Sequence, residues 1–597
     1  MRTDDEVQPT PRDRGWTIGF AALLVLPLVV SAVYLWFAVG TAYHPNSDWA
    51  LFELHTRDVF HHLLFVGPYS RYGWNHPGPL LFYTLALPYK LSGSRSISLH
   101  ITALIVNGLT IVAIAWVAFR RGRLPMVIAV LLPLGLLTHA LGADVLRNPW
   151  NPYLPVLPLL LLLLLCWSVA VGDLWMLPFA AAVASFVIQL HVGLLLVSAV
   201  FLLVALAAIV VRGFRATGDD RRSWWRRVLK AVAVSAGVLF VLWLPVLYGT
   251  FVRRDGNIGN IIQFFQGDHD TLGFTRAFQV LGLQWGIRPE WIFGPRGNSV
   301  VGVQSVDHHW WLALALALGI VAVVVAARRG SVATLWLAGI VGAGFVAAAV
   351  AVSNIVDADF PYLTRWTWVL GVGLGILVLR AGWLAVGPER RAVTLRWAVP
   401  VAGVLLVVLS VTETVDALDA GTPFPRLQSS EETITRQVLA HLPPGKGTVL
   451  IDNGHATLQT PGIVLALEKH GIPTAVVPSQ VVMFGYDRDV SHGPYRAGLV
   501  TIAGGAVGRV KAPEAGTQIA RYTRPLNAGD RRGIHAYIRQ TEGLPASKDR
   551  TALLKELHHR LTLPAQIIEV YLVPPKVLLR RNRASHTGQN FVRPFRS

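Results

Sequence analysis

The sequence predicts a polytopic α-helical membrane protein with an extracytoplasmic α/β domain at its C-terminal end. Three observations carry that expectation. The chain is 53% hydrophobic with a mean hydropathy of +0.48, well above ordinary soluble composition. Its apolar runs reach the ~20 residues that cross a bilayer as a helix. Beyond residue 412 the pattern changes to short β-branched segments alternating with helical ones.

Eleven apolar segments read as membrane helices, at 17–39, 98–119, 124–141, 153–171, 174–190, 192–211, 230–249, 310–326, 332–352, 363–379 and 396–412. The first, "WTIGFAALLVLPLVVSAVYLWFAV", is too long for a cleaved signal and lacks a small-residue cleavage site. The stretch from Leu177 to Val211 divides in two because its length would otherwise span the bilayer nearly twice. Arginines then gather on one side: Arg2, Arg12 and Arg14; Arg120, Arg121 and Arg123; the "RGFRATGDDRRSWWRRVLK" turn; Arg328 and Arg329; and Arg380, Arg390, Arg391 and Arg396. By the positive-inside tendency that side is cytoplasmic, so residues 1–16 form a cytoplasmic tail. An odd number of spans places the C-terminal domain outside. The formal charge of +19 lies between spans, which argues against nucleic acid as a partner. A single cysteine, Cys166, sits in an apolar run and excludes an intrachain disulfide.

The membrane domain is thus expected over 17–412, with long outward loops at 44–97 and 250–309 and short ones at 139–153 and 353–362. In the first loop, "DWALFELHTRDVFHHLLF" has apolar residues at helical spacing, and "GPLLFYTLALPYKL" is apolar but too short to span. Both read as interfacial helices on the outer leaflet, anchored by aromatic rings. A connector at 413–424 leads into an α/β domain at 425–597. There a helix begins at Glu431 after cap candidates in "QSS", and "GTVLIDNG", "IPTAVVP" and "YRAGLVTIAGG" read as strands around the helix "TPGIVLALEKHG". No phosphate-loop spacing follows the first strand.

Polar residues cluster in the outward segments. Asp48 follows the first span closely and precedes Trp49 and a helical pattern, where a carboxylate is partly shielded yet reachable, as a general base requires. Seven residues on, His55 returns to within about 20° of Asp48 around a helix axis. A short acceptor at a helix start is equally an N-cap, and both roles stay open for Asp48. "HALGADVLRNPWNPY" supplies Asp144, Arg147, Asn148 and Trp150; "VIQLHV" supplies Gln189 and His191; "SNIVDADFPYLTRW" supplies Asp357, Asp359 and Arg365. Polar groups at membrane depth are costly and point to a functional interior. A divalent cation is left open, with Asp48, Asp144 and Asp359 as its oxygen ligands, although no compact ligand spacing appears.

An acid just after the first span, two juxtamembrane helices, many membrane helices and a trailing α/β domain together resemble the GT-C superfamily of integral-membrane glycosyltransferases. Asp48, in a lone "SDW", matches that superfamily's first-loop acid. The segment "GPYSRYGWNHPGPLLFY" and the Ala, Val, Leu and Arg bias are similar to an actinobacterial, envelope-building subset. The resemblance implies a polyprenyl-phosphate sugar donor, with arabinofuranose or mannose as the sugar. An envelope glycan or glycolipid would be the acceptor, and membrane lipid would surround the site. It further implies inversion at the anomeric carbon with Asp48 as base, assisted by His55. Arg147, His191, Arg365 and Arg71 would hold the donor phosphate. Sugar contacts would come from Tyr69, Trp74, Asn75, His76, Asn148, Trp150, Asp357, Asp359 and Gln189. The competing classes are a transporter or flippase of a lipid-linked substrate and a nonenzymatic envelope scaffold.

Orientation is testable by cysteine labelling in a Cys166→Ser background. Arg222→Cys is expected to react with an impermeant maleimide only after the membrane is opened, and Ser429→Cys in intact cells. The opposite pattern would invert the assigned orientation.

Overall fold

The computed structural model describes residues 11–295, 310–356, 360–454, 458–491, 493–504, 512–513, 515–524 and 567–585 of the 597. Asp357 and Asp359 lie outside the described residues. The chain divides into two compact units. One comprises Met1–Gly40, Leu63–Pro68 and Asn75–Gly421; the other comprises Thr41–His62, Tyr69–Trp74 and Thr422–Ser597.

In the first unit every expected membrane segment is helical. The helices are Pro11–Tyr34, Ser98–Leu141, Val156–Ala170, Met176–Leu190, Leu195–Arg215, Gly218–Tyr248, Trp311–Arg328, Val332–Ser353, Trp368–Ala385 and Pro388–Asp419. Ser98–Leu141 holds two of the expected segments, because its backbone leaves helical geometry at Gly122 and Arg123. Among the described residues eight helices are long and apolar enough to cross a membrane, not the full eleven. One of the missing three is a matter of counting, since Ser98–Leu141 counts once while holding two expected segments; the other two have a physical reason. Val156–Ala170 and Met176–Leu190 have 15 residues each, a rise of about 22 Å, less than the ~30 Å of a hydrocarbon core. All of Val156–Ala170 is buried among its neighbours, so its leucines face protein.

Two expectations about the loops change. Pro388–Asp419 stays helical through most of the expected connector at 413–424. The second long loop is built of helices, at Asn257–Gln266, Gly273–Gly282 and Glu290–Phe293. Leu80–Leu91 buries Leu81, Phe82, Leu85, Ala86 and Tyr89 within its own unit.

The second unit is a mixed sheet with helices. Its strands are β1 (Thr448–Asp452), β2 (Thr474–Val476), β3 (Tyr495–Gly504), β4 (Thr517–Thr523) and β5 (Ile567–Val573), in the order β2-β1-β3-β5-β4. β1 runs parallel to β2 and β3, with Ile451 beside Val476 and Leu499, and β5 runs antiparallel to β3 and β4. The helix expected from Glu431 begins six residues earlier, at Pro425, where proline's fixed φ suits a helix start.

The Asp48 helix, Ser47–Asp58, belongs to this unit. Expected on the lipid surface, it instead contributes Ala50, Leu51 and Leu54 to the core that holds Ile434, Val438, Val449, Ile451, Ile463 and Phe484. An apolar stripe finds the same free energy against protein as against lipid, and here protein covers it. Charge fastens the same helix. Arg488 donates to both Asp58 oxygens at 2.8 and 2.9 Å and to both Glu468 oxygens at 2.7 and 2.9 Å. Lys469 pairs with the fully buried Glu53. Burial works against a charged Asp58, yet hydrogen bonds from His55 and Arg488 hold it well below the ordinary carboxylate range. Truncating Arg488 would leave buried carboxylates uncompensated, at a cost of about 3–5 kcal/mol.

Glu431 is the opposite case. It is 1% exposed, and among the described residues neither carboxylate oxygen has a hydrogen-bond partner. Burial pushes its carboxyl well above the usual range. The folded state therefore keeps a proton that the unfolded chain gives up above about pH 4.5, and stability falls as pH rises from there. Glu431→Gln is expected to raise the unfolding temperature at pH 8, with the difference shrinking toward zero by pH 4; an unchanged difference would show that Glu431 is not held protonated.

Candidate functional site

Two groups of chemistry-bearing side chains stand out, one in each unit. The first surrounds Asp48. Its helix is preceded by Asn46 in the N-cap position, with extended φ and ψ of −136° and 178°. Asp48 therefore lies in the first turn, and the N-cap position falls to Asn46. The helix N-terminus favours a carboxylate there by about 0.3–1 kcal/mol. Just before it, Ser47 takes φ +47°, a left-handed backbone that costs a non-glycine residue about 1 kcal/mol or more. The Ser47 N–H donates to the Leu458 carbonyl at 2.6 Å, which holds the turn.

Asp48 is half-buried. Tyr69 lies near enough to feel it: burial first, and then the Asp48 charge, push the Tyr69 hydroxyl above its usual range. Trp49 packs on Phe424 at 3.9 Å between ring centroids. His55 takes a different position from the one expected. Its Nδ1 is 3.6 Å from Asp58 and its Nε2 is 3.1 Å from the Met483 carbonyl, so the ring belongs to the Arg488 ion cluster. Arg71 is exposed and donates to the Tyr72 hydroxyl at 2.6 Å, whereas Trp74 is buried.

The second group lies in the membrane unit, where three segments meet. The turn 147–153 follows the Ser98–Leu141 helix, the turn 284–293 carries Gln284 and Glu290, and residues 360–368 open the Trp368–Ala385 helix. Arg365 is 7% exposed, and its guanidinium lies 4.2 Å over the Trp368 ring. The Trp368 indole N–H donates to Glu290 at 3.3 Å, so one ring carries a cation on its face and an acid at its edge. Arg365 also lies beside the Tyr153 hydroxyl, while its Nε has no hydrogen-bond partner among the described residues. Trp150 packs edge-on to Tyr153 at 5.1 Å and against Tyr362 at 4.7 Å, making a half-exposed aromatic wall.

Asn151 donates to the Leu190 carbonyl at 3.1 Å, which ties this turn to His191. The His191 ring lies 4.7 Å from that of His76. Val192 N–H donates to His76 Nδ1 at 3.2 Å, so His76 is neutral with its proton on Nε2. His191 Nδ1 has no hydrogen-bond partner.

Several expected ligand residues have structural work instead. Arg147 gives its Nη groups to the Gly421 and Ala420 carbonyls at 2.7 and 3.1 Å and to Asp144 at 2.5 Å. It closes the end of the Pro388–Asp419 helix, where cations are favoured, while its Nε has no hydrogen-bond partner among the described residues. Asn148 accepts from Trp150 N–H at 3.0 Å and shapes the turn. The Asn75 backbone is held by the Asn257 side chain, its N–H donating to Asn257 Oδ1 and its carbonyl accepting from Asn257 Nδ2, both at 2.9 Å. Gln189 is fully buried and donates to the Leu242 carbonyl at 3.0 Å, which joins two helices, while its Oε1 has no hydrogen-bond partner among the described residues. For a divalent cation, Asp144 is engaged by Arg147 and Asp359 lies outside the described residues. Among the described residues no three His, Cys, Asp or Glu side chains gather as a metal group.

Glu290, Gln284, Trp368 and Tyr362 are residues that sequence reasoning passed over. The signal was an acid inside "QWGIRPEWIF", an aromatic setting where a carboxylate needs a partner. The approach of that turn depends on Gly371, where a Cβ would sit 2.4 Å from Trp291.

No family model matches the chain, and no curated protein matches it. Among solved structures it is similar to ArnT from Cupriavidus metallidurans. The undecaprenyl-phosphate-bound crystal structure aligns at TM-score 0.49 and 13% identity over 94% of this chain and 99% of that one. The apo structure aligns at TM-score 0.46 and 16% identity over 82% and 93%. Likeness at that level is one of outline and assigns neither family nor activity.

Gly78 supports the His76 turn by its lack of a side chain. A Cβ there would sit 2.1 Å from Gln189 Oε1 and 2.7 Å from Val246. Gly78→Ala is expected to destabilise the folded protein by about 1–3 kcal/mol, read as a lower unfolding temperature in detergent; an unchanged value would mean that the turn moves away freely.

Proposed function

We propose that this chain is a membrane glycosyltransferase of the GT-C kind. It moves a sugar, with arabinofuranose and mannose as the first candidates, from a polyprenyl-phosphate donor to an envelope glycan or glycolipid acceptor on the extracytoplasmic face. The observation that carries this reading is Arg365: a buried guanidinium at the mouth of a membrane helix, with an unused N–H and an aromatic wall beside it. A cation in so dry a setting interacts strongly with a phosphate. The flanking rings of Trp150 and Tyr362 offer faces on which a sugar can stack.

In the proposed reaction the acceptor hydroxyl oxygen attacks the anomeric carbon as the bond to the donor phosphate oxygen breaks. Asp48 takes the hydroxyl proton. The polyprenyl phosphate leaves with the bonding electrons, and Arg365, assisted by His191, stabilises its growing negative charge. Displacement in one step inverts the anomeric configuration. Tyr69 and His76 are the further sugar contacts, and the apolar surfaces of the membrane helices hold the lipid chain. His55 and Arg147 have no direct part in this scheme. Asp357 and Asp359 remain acceptor-side candidates.

The test compares wild type, Asp48→Asn and Arg365→Gln against a panel of polyprenyl-phosphate sugars, with acceptor products read by mass spectrometry and donor binding measured separately. Asp48→Asn is expected to lose about 10²–10⁴-fold in rate with donor binding kept. Arg365→Gln is expected to weaken donor binding itself. Turnover of Asp48→Asn at the wild-type rate would remove Asp48 as the base, and donor binding unaffected in Arg365→Gln would remove the phosphate assignment.

A further inference from the structure

At the arginine-rich end of the membrane unit, three cations converge on a cavity of about 270 Å³. Arg329, Arg380 and Arg391 line it together with Ser331 and Trp383. The cavity opens where the Ser98–Leu141 helix breaks. Gly122 forms part of its wall, and a Cβ there would lie 3.4 Å from an Arg380 Nη and 2.9 Å from Met126.

Arginines at this end of a membrane protein ordinarily hold orientation by facing water and lipid headgroups. Their neighbours behave differently from Arg329 and Arg391. Arg120 and Arg121 both pair with Asp173, at 2.7 and 3.1 Å. Among the described residues neither Arg329 nor Arg391 has a carboxylate within ion-pair distance; each donates to a backbone carbonyl, Ala385 at 2.9 Å and Val386 at 3.4 Å. Arg380 is directed by a bond from its Nε to the Thr334 hydroxyl at 2.9 Å and by the Trp167 face at 5.4 Å. Arg391 lies 5.7 Å from the Trp383 ring. A walled cavity with three converging guanidinium groups suits an anion with several acceptor oxygens.

An apolar groove of about 380 Å³, lined by Gly319, Ile320, Val341, Gly342, Leu374 and Leu377, shares the Trp368–Ala385 helix with the cavity. Leu377 lines the groove and Arg380 lines the cavity. Three residues of helix separate them, about 5 Å along the axis. Apolar surface so near to cationic surface is the pattern that a lipid phosphate fits and a free phosphate does not use.

We infer that Arg329, Arg380 and Arg391 form a binding site for the phosphate of an anionic membrane lipid, with an acyl chain in the Leu374–Leu377 groove. The site is distinct from Arg365. Arg365 precedes the Trp368–Ala385 helix and Arg380 lies near its other end, about 22 Å along the axis. It does not depend on the sugar-transfer reading.

The full chain in neutral detergent would be titrated with dioleoyl phosphatidic acid and, in parallel, dioleoyl phosphatidylcholine, with bound lipid counted by native mass spectrometry. One phosphatidic acid per chain is expected, bound at least tenfold more tightly than phosphatidylcholine. Arg329→Gln with Arg391→Gln is expected to weaken it at least tenfold. Arg222→Gln with Arg227→Gln, at the same end but outside the cavity, is expected to change it less than twofold. Equal losses in the two double variants, or no preference over phosphatidylcholine, would overturn the site. Inorganic phosphate at 10 mM, on the order of a weak competitor's working range, is expected not to displace the lipid; full displacement would overturn the lipid assignment in favour of a free-phosphate site. Because Arg329 is exposed, its substitution spares the fold, and Arg391→Lys, which keeps the charge, is expected to recover part of the binding.

Discussion

Inside a hydrocarbon layer every backbone N–H and C=O must find its partner within the protein, and that constraint organises the membrane unit. Helices meet it unaided; turns and helix ends do not. The breaks in helical structure are accordingly where polar side chains gather. Arg147 closes the end of Pro388–Asp419, Asn151 reaches the Leu190 carbonyl, and Trp291 reaches the Gln284 carbonyl at 3.0 Å. Side chains brought in to satisfy backbone at these ends are held in fixed positions. The Arg365, Trp368 and Glu290 group rests on that frame, and so does its aromatic wall.

The second unit solves a different problem. Its Asp48 helix is short, carries three acids over 12 residues, and could not remain folded alone. It is stabilised by burying Ala50, Leu51 and Leu54 in the sheet's core and by placing Asp58 and Glu53 against cations from the far end of the chain. Arg488 and Lys469 thus engage Asp58 and Glu53, while Asp48 lies in the first turn of the same helix. Its neighbours are a strained Ser47 and the Tyr69 hydroxyl. The anchoring residues thus lie on the core side of the helix that carries Asp48.

Both ends of the Trp368–Ala385 helix carry arginines in aromatic surroundings, yet the two settings differ. Arg365 is buried against Trp368 with an acid beyond the ring. Arg329 and Arg391 face a cavity with no carboxylate in ion-pair distance among the described residues. The first suits a charge that develops and departs; the second suits an anion that stays.

Composition and periodicity by themselves determined the helical segments, the change to a strand-bearing region near residue 425, and the polar outward turns from which the candidates came. Each of these is a local property, set by whether a window of residues is stable in lipid or against a core. The helix break at Gly122 was legible too, because two apolar segments flank an arginine-rich turn. What only the tertiary structure decided was which partner each polar group chose. His55 went to Asp58 and Met483, Arg147 to a helix end, and Gln189 to another helix, while Glu290 emerged beside Trp368 and Arg365. Those choices join residues up to 428 positions apart, and the pairing energy depends on burial and distance, which no linear spacing encodes. The lipid-facing reading of the Asp48 helix failed for the same reason. An apolar stripe specifies that it must be covered, and only the fold specifies by what.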